Sequence, residues 1–238
     1  MALDRRQIVE NAFTVLNETG LDGLTLRKLA AQLSVQAPAI YWHFRDKREL
    51  LDEMATEVMR RAQRQAAPLD KERDWKRWAV ALFTLLRQTL RGYRDGAKMF
   101  SGTFLTDESL YASQEANLRR LTQAGFTLRQ AVVGVGAMYS FTIGFVIEEQ
   151  AAELAPGQPN PQYDLKARER RVGKERFPLA AAAGPEMFTR NDVRFREGLA
   201  LVIAGLDLQL AAAGKRRRAA AKRKPVFSNR RMSLKESE

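Results

Sequence analysis

The chain has no cysteine and a single histidine among its 238 residues. The first absence excludes disulfides, thiolate metal sites and a cysteine nucleophile. The second excludes a multi-histidine metal site within one chain. Long uncharged runs are also scarce. The longest holds Ala131 to Ile147, "AVVGVGAMYSFTIGFVI", 17 residues behind the polar Gln130, and stops at Glu148 and Glu149. A membrane-spanning helix needs about 20 apolar residues. This run therefore reads as a helix buried in a core or between subunits, and no membrane partner is expected. The N-terminal "MALDRRQIVENAF" has neither an apolar core nor a small-residue cleavage site, so a cytoplasmic location is expected.

Strand-like alternation is missing too. Helical spacing recurs instead, and an all-α fold is expected. Ile8, Ala12, Val15 and Leu16 share a face after Asp4 and Gln7, a capping-box pair. Gly20 stops this first helix. Thr25 can cap a short second one carrying Leu26, Leu29, Ala30 and Leu33. "SVQ" is a turn, and a short third helix follows with Pro38 in its first turn. Asp46 and Glu49 look like another capping box, opening a long helix to about Gln65. Apolar spacing marks further helices from Trp75 to near Gly92, from about Asp107 to Gln123, from Leu128 to Ala152 and from Asn191 to Ala213. Residues 155–189 hold five of the eight prolines and read as a linker or mobile loop with room for a helical turn. The formal charge is +12, but +8 of it falls within residues 214–238, a basic tail read as disordered. Residues 1–50 are nearly neutral, so any nucleic-acid argument must rest on pattern.

That pattern lies in "QAPAIYWHFRDK", residues 36–47. The second and third helices have helix-turn-helix spacing. At 100° per residue Ile40 and Phe44 share one face and would bury against Leu29 and Leu16. Pro38 and Trp42 then lie nearly opposite, flanked by Tyr41 and His43. Apolar rings directed away from a core need a partner. Small residues at Ala37 and Ala39 let the helix approach a surface, and a major groove admits a helix whose apolar side chains meet thymine methyls. Tyr41, His43 and Lys47 would reach phosphates, and Arg27 can pair with guanine. Two plainer readings stand beside this one. Three helices also pack without DNA, and Trp42 could fold back onto the first helix. No carboxylate or second histidine stands ready to make His43 a catalyst or a metal ligand.

"LTLRKLAAQLSVQAPAIYWHFRDKRELLD" resembles the DNA-binding domain of the TetR family. "RDGAKMFSGT", "LTQAGFTLRQA", "FTIGFVIEEQ" and "FREGLALVIAGL" resemble its core and ligand-pocket segments and its last helix. The resemblance implies a helix-turn-helix head (1–45), a connecting helix (46–66) and a ligand-binding and dimerisation domain (67–213). It implies a homodimer that grips a palindromic double-stranded operator and lets go when a small-molecule inducer binds. Arg27, Pro38, Tyr41, Trp42, His43 and Lys47 match DNA-contact positions. Ala37 replaces a base-reading glutamine, Ala39 a threonine and Gln36 an acidic residue, so the operator should differ and Gln36 could take over base reading.

The pocket departs further. In tetracycline-binding members a histidine holding magnesium stands where this chain has Phe100. Leu82 replaces an asparagine, Gln63 a histidine and Asn117 a glutamine. Thr103 is retained, and Glu148 matches a glutamate that reaches the metal's water from the other subunit. Without the imidazole, magnesium–tetracycline is disfavoured and no cofactor is expected. The resemblance instead implies an apolar or aromatic ligand lined by Leu82, Leu86, Phe100, Phe104, Met138 and Phe141, with Thr103, Asn117 and Glu148 as polar handles and Gln63 also counted among the ligand-site positions. Each apolar member has core filling as its alternative. Two rival functions remain: a DNA-binding regulator whose cavity is collapsed, and a helical enzyme or carrier. Catalysis is opposed by the missing cysteine, the lone histidine and the lack of a phosphate-binding glycine loop.

Overall fold

Asp4 opens the first helix, α1 (Arg5–Gly23). Its carboxylate accepts the Gln7 backbone N–H at 2.7 Å, and the Gln7 side chain accepts the Asp4 N–H in return. The buried face holds Ile8, Ala12, Val15 and Leu16, widened by Val9 and Phe13. At Gly20 the backbone leaves the helix with φ of +72°, and a Cβ there would meet the Asp95 carboxylate at 2.9 Å. Only glycine meets both conditions without strain. Thr25 caps α2 (Leu26–Gln32), and Ser34 turns the chain into α3 (Ala37–Tyr41) with a positive φ. The computed structural model describes residues 3–222, with side chains as far as Lys215.

The long helix α4 (Lys47–Ala66) is 20 residues, about 30 Å at 1.5 Å per residue. Asp46 caps it, accepting the Glu49 N–H at 2.9 Å. The expected reciprocal bond is shifted by one residue: the Glu49 carboxylate takes the backbone N–H of Arg45, not of Asp46. That bond is the main reason the Glu49 carboxyl sits below its ordinary pKa. A 3₁₀ turn, Ala67–Lys71, follows. Then come α5 (Trp75–Arg91), α6 (Gly96–Phe100), α7 (Ser109–Gln123) and α8 (Leu128–Ala151). Thr127 and Gln130 form a full capping box at the start of α8.

α5 is the centre of the second layer, packed by α4, α8 and α11 (Asn191–Lys222). Its Arg87 is buried. The guanidinium grips both Glu149 oxygens, at 2.9 and 2.6 Å, and reaches Asp192 at 2.8 Å. Three helices are thereby tied at one point. α11 runs antiparallel to α8, and the close approach is set where a Cβ at Gly198 would strike the Phe141 ring at 2.5 Å.

Two expectations change. Residues 155–189 are not a loop. They hold a two-stranded ribbon (Glu153–Ala155 with Gln158–Pro159) and the helices α9 (Leu165–Val172) and α10 (Pro178–Phe188). Asp164 caps α9, and Pro178 occupies the first turn of α10, where a missing N–H costs nothing. Arg168 bonds the Ala180 carbonyl, and Tyr163 meets Phe188 edge-on, so the two helices close on each other. The last helix does not stop at 213 either. It continues to Lys222, so the start of the basic tail is helical. The expectation of disorder for residues 223–238 lies outside the described residues.

Candidate DNA interface and ligand cavity

In α3 the helical geometry divides neighbours sharply. Ile40 and Phe44 are fully buried, whereas Trp42 is 88% and Tyr41 50% exposed. Pro38 and Gln36 are exposed as well, and His43, Ala37 and Ala39 are half-buried. Arg27 is exposed on the first turn of α2. One face of the head therefore presents Arg27, Gln36, Pro38, Tyr41 and Trp42, and no described residue covers Trp42. Trp42 does not fold back onto α1. Lys47, expected at a phosphate, has a contact within the protein. It is half-buried, and its ammonium donates to the Leu21 carbonyl at 2.5 Å, tying α4 to the end of α1.

Arg5 was not foreseen from the sequence. Its guanidinium lies 4.3 Å over the Phe44 ring, donates to the His43 carbonyl and pairs with Glu49 at 3.2 Å. It thus holds the end of α3 against the start of α4. The contact spans 38 residues, and no local spacing announces it.

A cavity of about 370 Å³ opens between α4, the 3₁₀ turn, α5 and α7. Gln63, Leu82, Leu86 and Asn117 line it, as the sequence suggested, joined by Met59, Trp78, Ala112, Ala116 and Val135. The wall from α7 consists of small side chains, Ala112, Ser113 and Ala116, and that stripe is the signal that could have located the space. Six expected lining residues lie elsewhere. Phe100 and Met138 are buried in the packed core, with Phe100 against Tyr139. Phe141 stacks on Phe195 between α8 and α11. Phe104 is exposed, and Thr103 spends its hydroxyl on the Phe100 carbonyl at 2.7 Å. Glu148 borders a separate space of about 200 Å³ with Phe145, Phe188 and Arg194. Position 100 carries a phenyl ring and offers no donor atom, so the residues present lack the side-chain ligand that a magnesium–tetracycline site would take there.

Between cavity and head runs a ladder along one face of α4. Arg48 donates to the Gly102 carbonyl, and Asp52 accepts the Phe104 N–H at 2.8 Å. Thr56 accepts the Thr106 N–H at 2.9 Å, and Arg60 pairs with Asp107 at 2.5 Å. The rungs are four residues apart, one face of the helix. The Arg60 guanidinium holds the Asp107 carboxyl down at about 2. The turn after α5 also docks on the head. Asn17 accepts the Arg94 N–H, Arg94 donates to the Glu18 carbonyl, and Asp95 accepts the Leu21 N–H.

A model described as "Bacterial regulatory proteins, tetR family" matches residues 8–54, and one described as "Tetracyclin repressor-like, C-terminal domain" matches 67–210. The chain belongs to the TetR family, a class of ligand-responsive, DNA-binding transcriptional repressors. Among its relatives is the tetracycline repressor protein class D of Escherichia coli, 36% identical over 213 residues, which span 88% of this chain and 92% of that one. A possible TetR family transcriptional regulator from Streptomyces coelicolor A3(2) superposes with a TM-score of 0.73 at 33% identity, covering 86% of this chain and 99% of that one. A TetR variant from Acinetobacter baumannii AYE in complex with minocycline superposes with a TM-score of 0.67 at 31% identity, covering 87% and 98%.

Proposed function

We propose that the protein is a cytoplasmic homodimeric repressor that binds a palindromic operator through α3 and is released by a small, largely apolar or aromatic inducer held in the 370 Å³ cavity. The observation carrying the DNA reading is the division within α3, where Ile40 and Phe44 are sealed and Trp42 and Tyr41 are left to a duplex. Arg27, Gln36, Pro38, Ala39 and His43 complete the reading face, with Ala37 half-turned to the core. Lys47 serves as a brace, and its remaining N–H donors are free to meet a phosphate.

The dimer reading rests on α8 and α11. Both are long and apolar enough to cross a membrane by composition. α8 leaves Leu128, Val132 and Val133 exposed, and α11 leaves Leu201 and Leu208, seven residues apart on one face. Apolar stripes on two neighbouring helices suit a four-helix bundle with a second copy. Glu149 and Asp207, tied to Arg87 and Lys76, suit a water-soluble bundle better than lipid.

The inducer acts by binding one head spacing better than the other. Its cavity is walled by α4, whose N-terminal end carries Lys47 and whose ladder reaches the 102–107 segment. A ligand pressing on Gln63 and Met59 therefore leans on the lever that positions the head. The open cavity disfavours the collapsed-pocket alternative, since Leu82 lines the space and Phe100 stays out of it. This reading assigns no catalysis.

Selection of bound sequences from random DNA tests the operator claim. A palindrome with two half-sites about one helical turn apart is expected. Enrichment of no motif, or of a single half-site only, overturns it. A thermal-shift screen of polycyclic compounds with and without magnesium tests the cavity. Stabilisation by a tetracycline that requires magnesium contradicts the metal-free assignment.

A further inference from the structure

The chain keeps its excess of positive charge away from the head. Residues 1–50 carry seven basic and six acidic residues, whereas residues 214–238 carry ten basic residues and two Glu. The first part of that basic run is built into the fold, because α11 continues through "GKRRRAAAK" to Lys222. Lys215, Arg216, Arg217, Arg218 and Lys222 therefore belong to a helix, in a stretch that holds no acid.

The contacts of α11 fix where this stretch lies. Asp192, in its first turn, meets Arg87 near the C-terminal end of α5, and Asp207 meets Lys76 at the N-terminal end at 2.6 Å. The C-terminal end of α5 leads into the Arg94–Asp95 turn, which docks on Asn17 and Leu21 of the head. The N-terminal end of α5 follows the 3₁₀ turn at the far end of α4, the helix that leaves the head at Lys47. α11 thus runs away from the head. From Asp207 to Lys222 it rises about 22 Å, at 1.5 Å per residue. Its last turns stand at the pole opposite α3.

We propose that this end of α11 is a second DNA-binding site, which grips the phosphate backbone of a duplex without reading its sequence. A dimer seated on an operator then holds a second stretch of double-stranded DNA at the far pole. The bridge rests on the operator reading of the head; the far-pole site does not. Charge density and composition select the partner. Five cations on residues 215–222 amount to one per about 2.4 Å of helix, close to the duplex's one phosphate per about 1.7 Å of axis. Lys215 to Arg218 are four successive positions, which at 100° per residue go round most of a turn. That turn has no apolar face to lay on another protein. Residues 211–224 contain no aromatic residue and no Leu, Ile, Val or Met. Unpaired bases would find no ring to stack on, and a lipid surface no apolar side chain to take up. Ala219 to Ala221 add no bulk that would keep the helix from a phosphate backbone.

The test uses the full-length protein and a variant combining Lys215→Gln, Arg216→Gln, Arg217→Gln, Arg218→Gln and Lys222→Gln. Fluorescence anisotropy with a random-sequence duplex of about 30 base pairs, over a range of salt, gives the slope of log affinity against log salt. The variant's slope should be shallower by about four, at roughly 0.9 per phosphate contact. A second assay loads protein on bead-bound operator and offers a labelled random duplex. At equal loading the wild type should retain at least about tenfold more of it than the variant. A protein with Arg216→Lys, Arg217→Lys and Arg218→Lys keeps the charge and should match the wild type, which separates lost charge from a lost helix. An unchanged slope, or equal retention by wild type and variant, overturns the far-pole site. A shallower slope without retention by the wild type overturns the bridge. Retention of single-stranded RNA in preference to the duplex overturns the duplex assignment. If selection yields no operator yet the slope still falls, the head reading fails and the far-pole site stands.

Discussion

In α3, consecutive residues divide between core and solvent as a 100° step requires. In the cavity, ten residues were expected at the wall and four reach it, Gln63, Leu82, Leu86 and Asn117. The contrast is one of how many elements must cooperate. A side chain's direction on a single short helix depends on a few backbone angles and on which face is apolar. A cavity wall depends on how α4, α5, α7 and a 3₁₀ turn stand apart, and that separation is set by residues that are not in the wall. Phe100 and Met138 are long apolar side chains like the true wall residues. Only the positions of their helices turned them into core.

The sharpest way to break the contrast is through the buried positions. Phe44→Ala removes a fully enclosed ring beneath Arg5 and should cost about 3–5 kcal/mol. Operator binding should be lost while binding of polycyclic compounds in the cavity persists. A loss under about 1 kcal/mol in urea unfolding would mean that the α3 division is not what shapes the head.

Glu149→Ala tests the other region. It strands the Arg87 guanidinium with Asp192 alone and should cost about 3 kcal/mol or more. Here the thermal transition of the C-terminal layer should fall. An unchanged melting temperature would show that α5, α8 and α11 are not tied through this point.

A smaller effect on stability but a large one on function is expected of Trp42→Ala. Being 88% exposed, the ring should leave unfolding within about 0.5 kcal/mol of wild type. Operator affinity should drop by about tenfold or more, about 1.4 kcal/mol. Anisotropy titration with the selected operator decides it. Retained affinity would remove Trp42 from the reading face.

The smallest effect concerns pH. Arg60 holds the folded Asp107 carboxyl at about 2 against an ordinary 3.8, so the ionised form favours folding. That contribution is present above pH 4 and is lost as pH falls through about 2. Asp107→Asn should flatten the acid side of the urea-stability profile in that window. An identical profile would separate the ladder on α4 from any role in holding the 102–107 segment.

Capping and periodicity were legible because they are written within four residues: Asp4 with Gln7 and Thr25 before α2. The shifted box at Glu49 was not, because Arg45 N–H and Asp46 N–H are adjacent and only the backbone's path chooses between them. Proline-rich residues 155–189 look like loop in composition, yet Pro178 at a first turn and Asp164 as a cap permit helices there. Lys47 and Arg5 show the limit from the other side. Both are cations near the head, and the longer-range contacts to Leu21 and Phe44 decide that one braces and the other clamps.

The order of amino acids by itself determined that the protein is helical, that Ile40 and Phe44 share one face of α3 with Trp42 nearly opposite, and that no cysteine or histidine cluster can serve it. These follow from residue chemistry and from a helical repeat that acts over a turn or two. Tertiary structure alone decided where the cavity lies, that Trp42 stays clear of α1, and that Lys47 turns inward. Those depend on distances between helices far apart in the chain, which packing sets and no short stretch encodes.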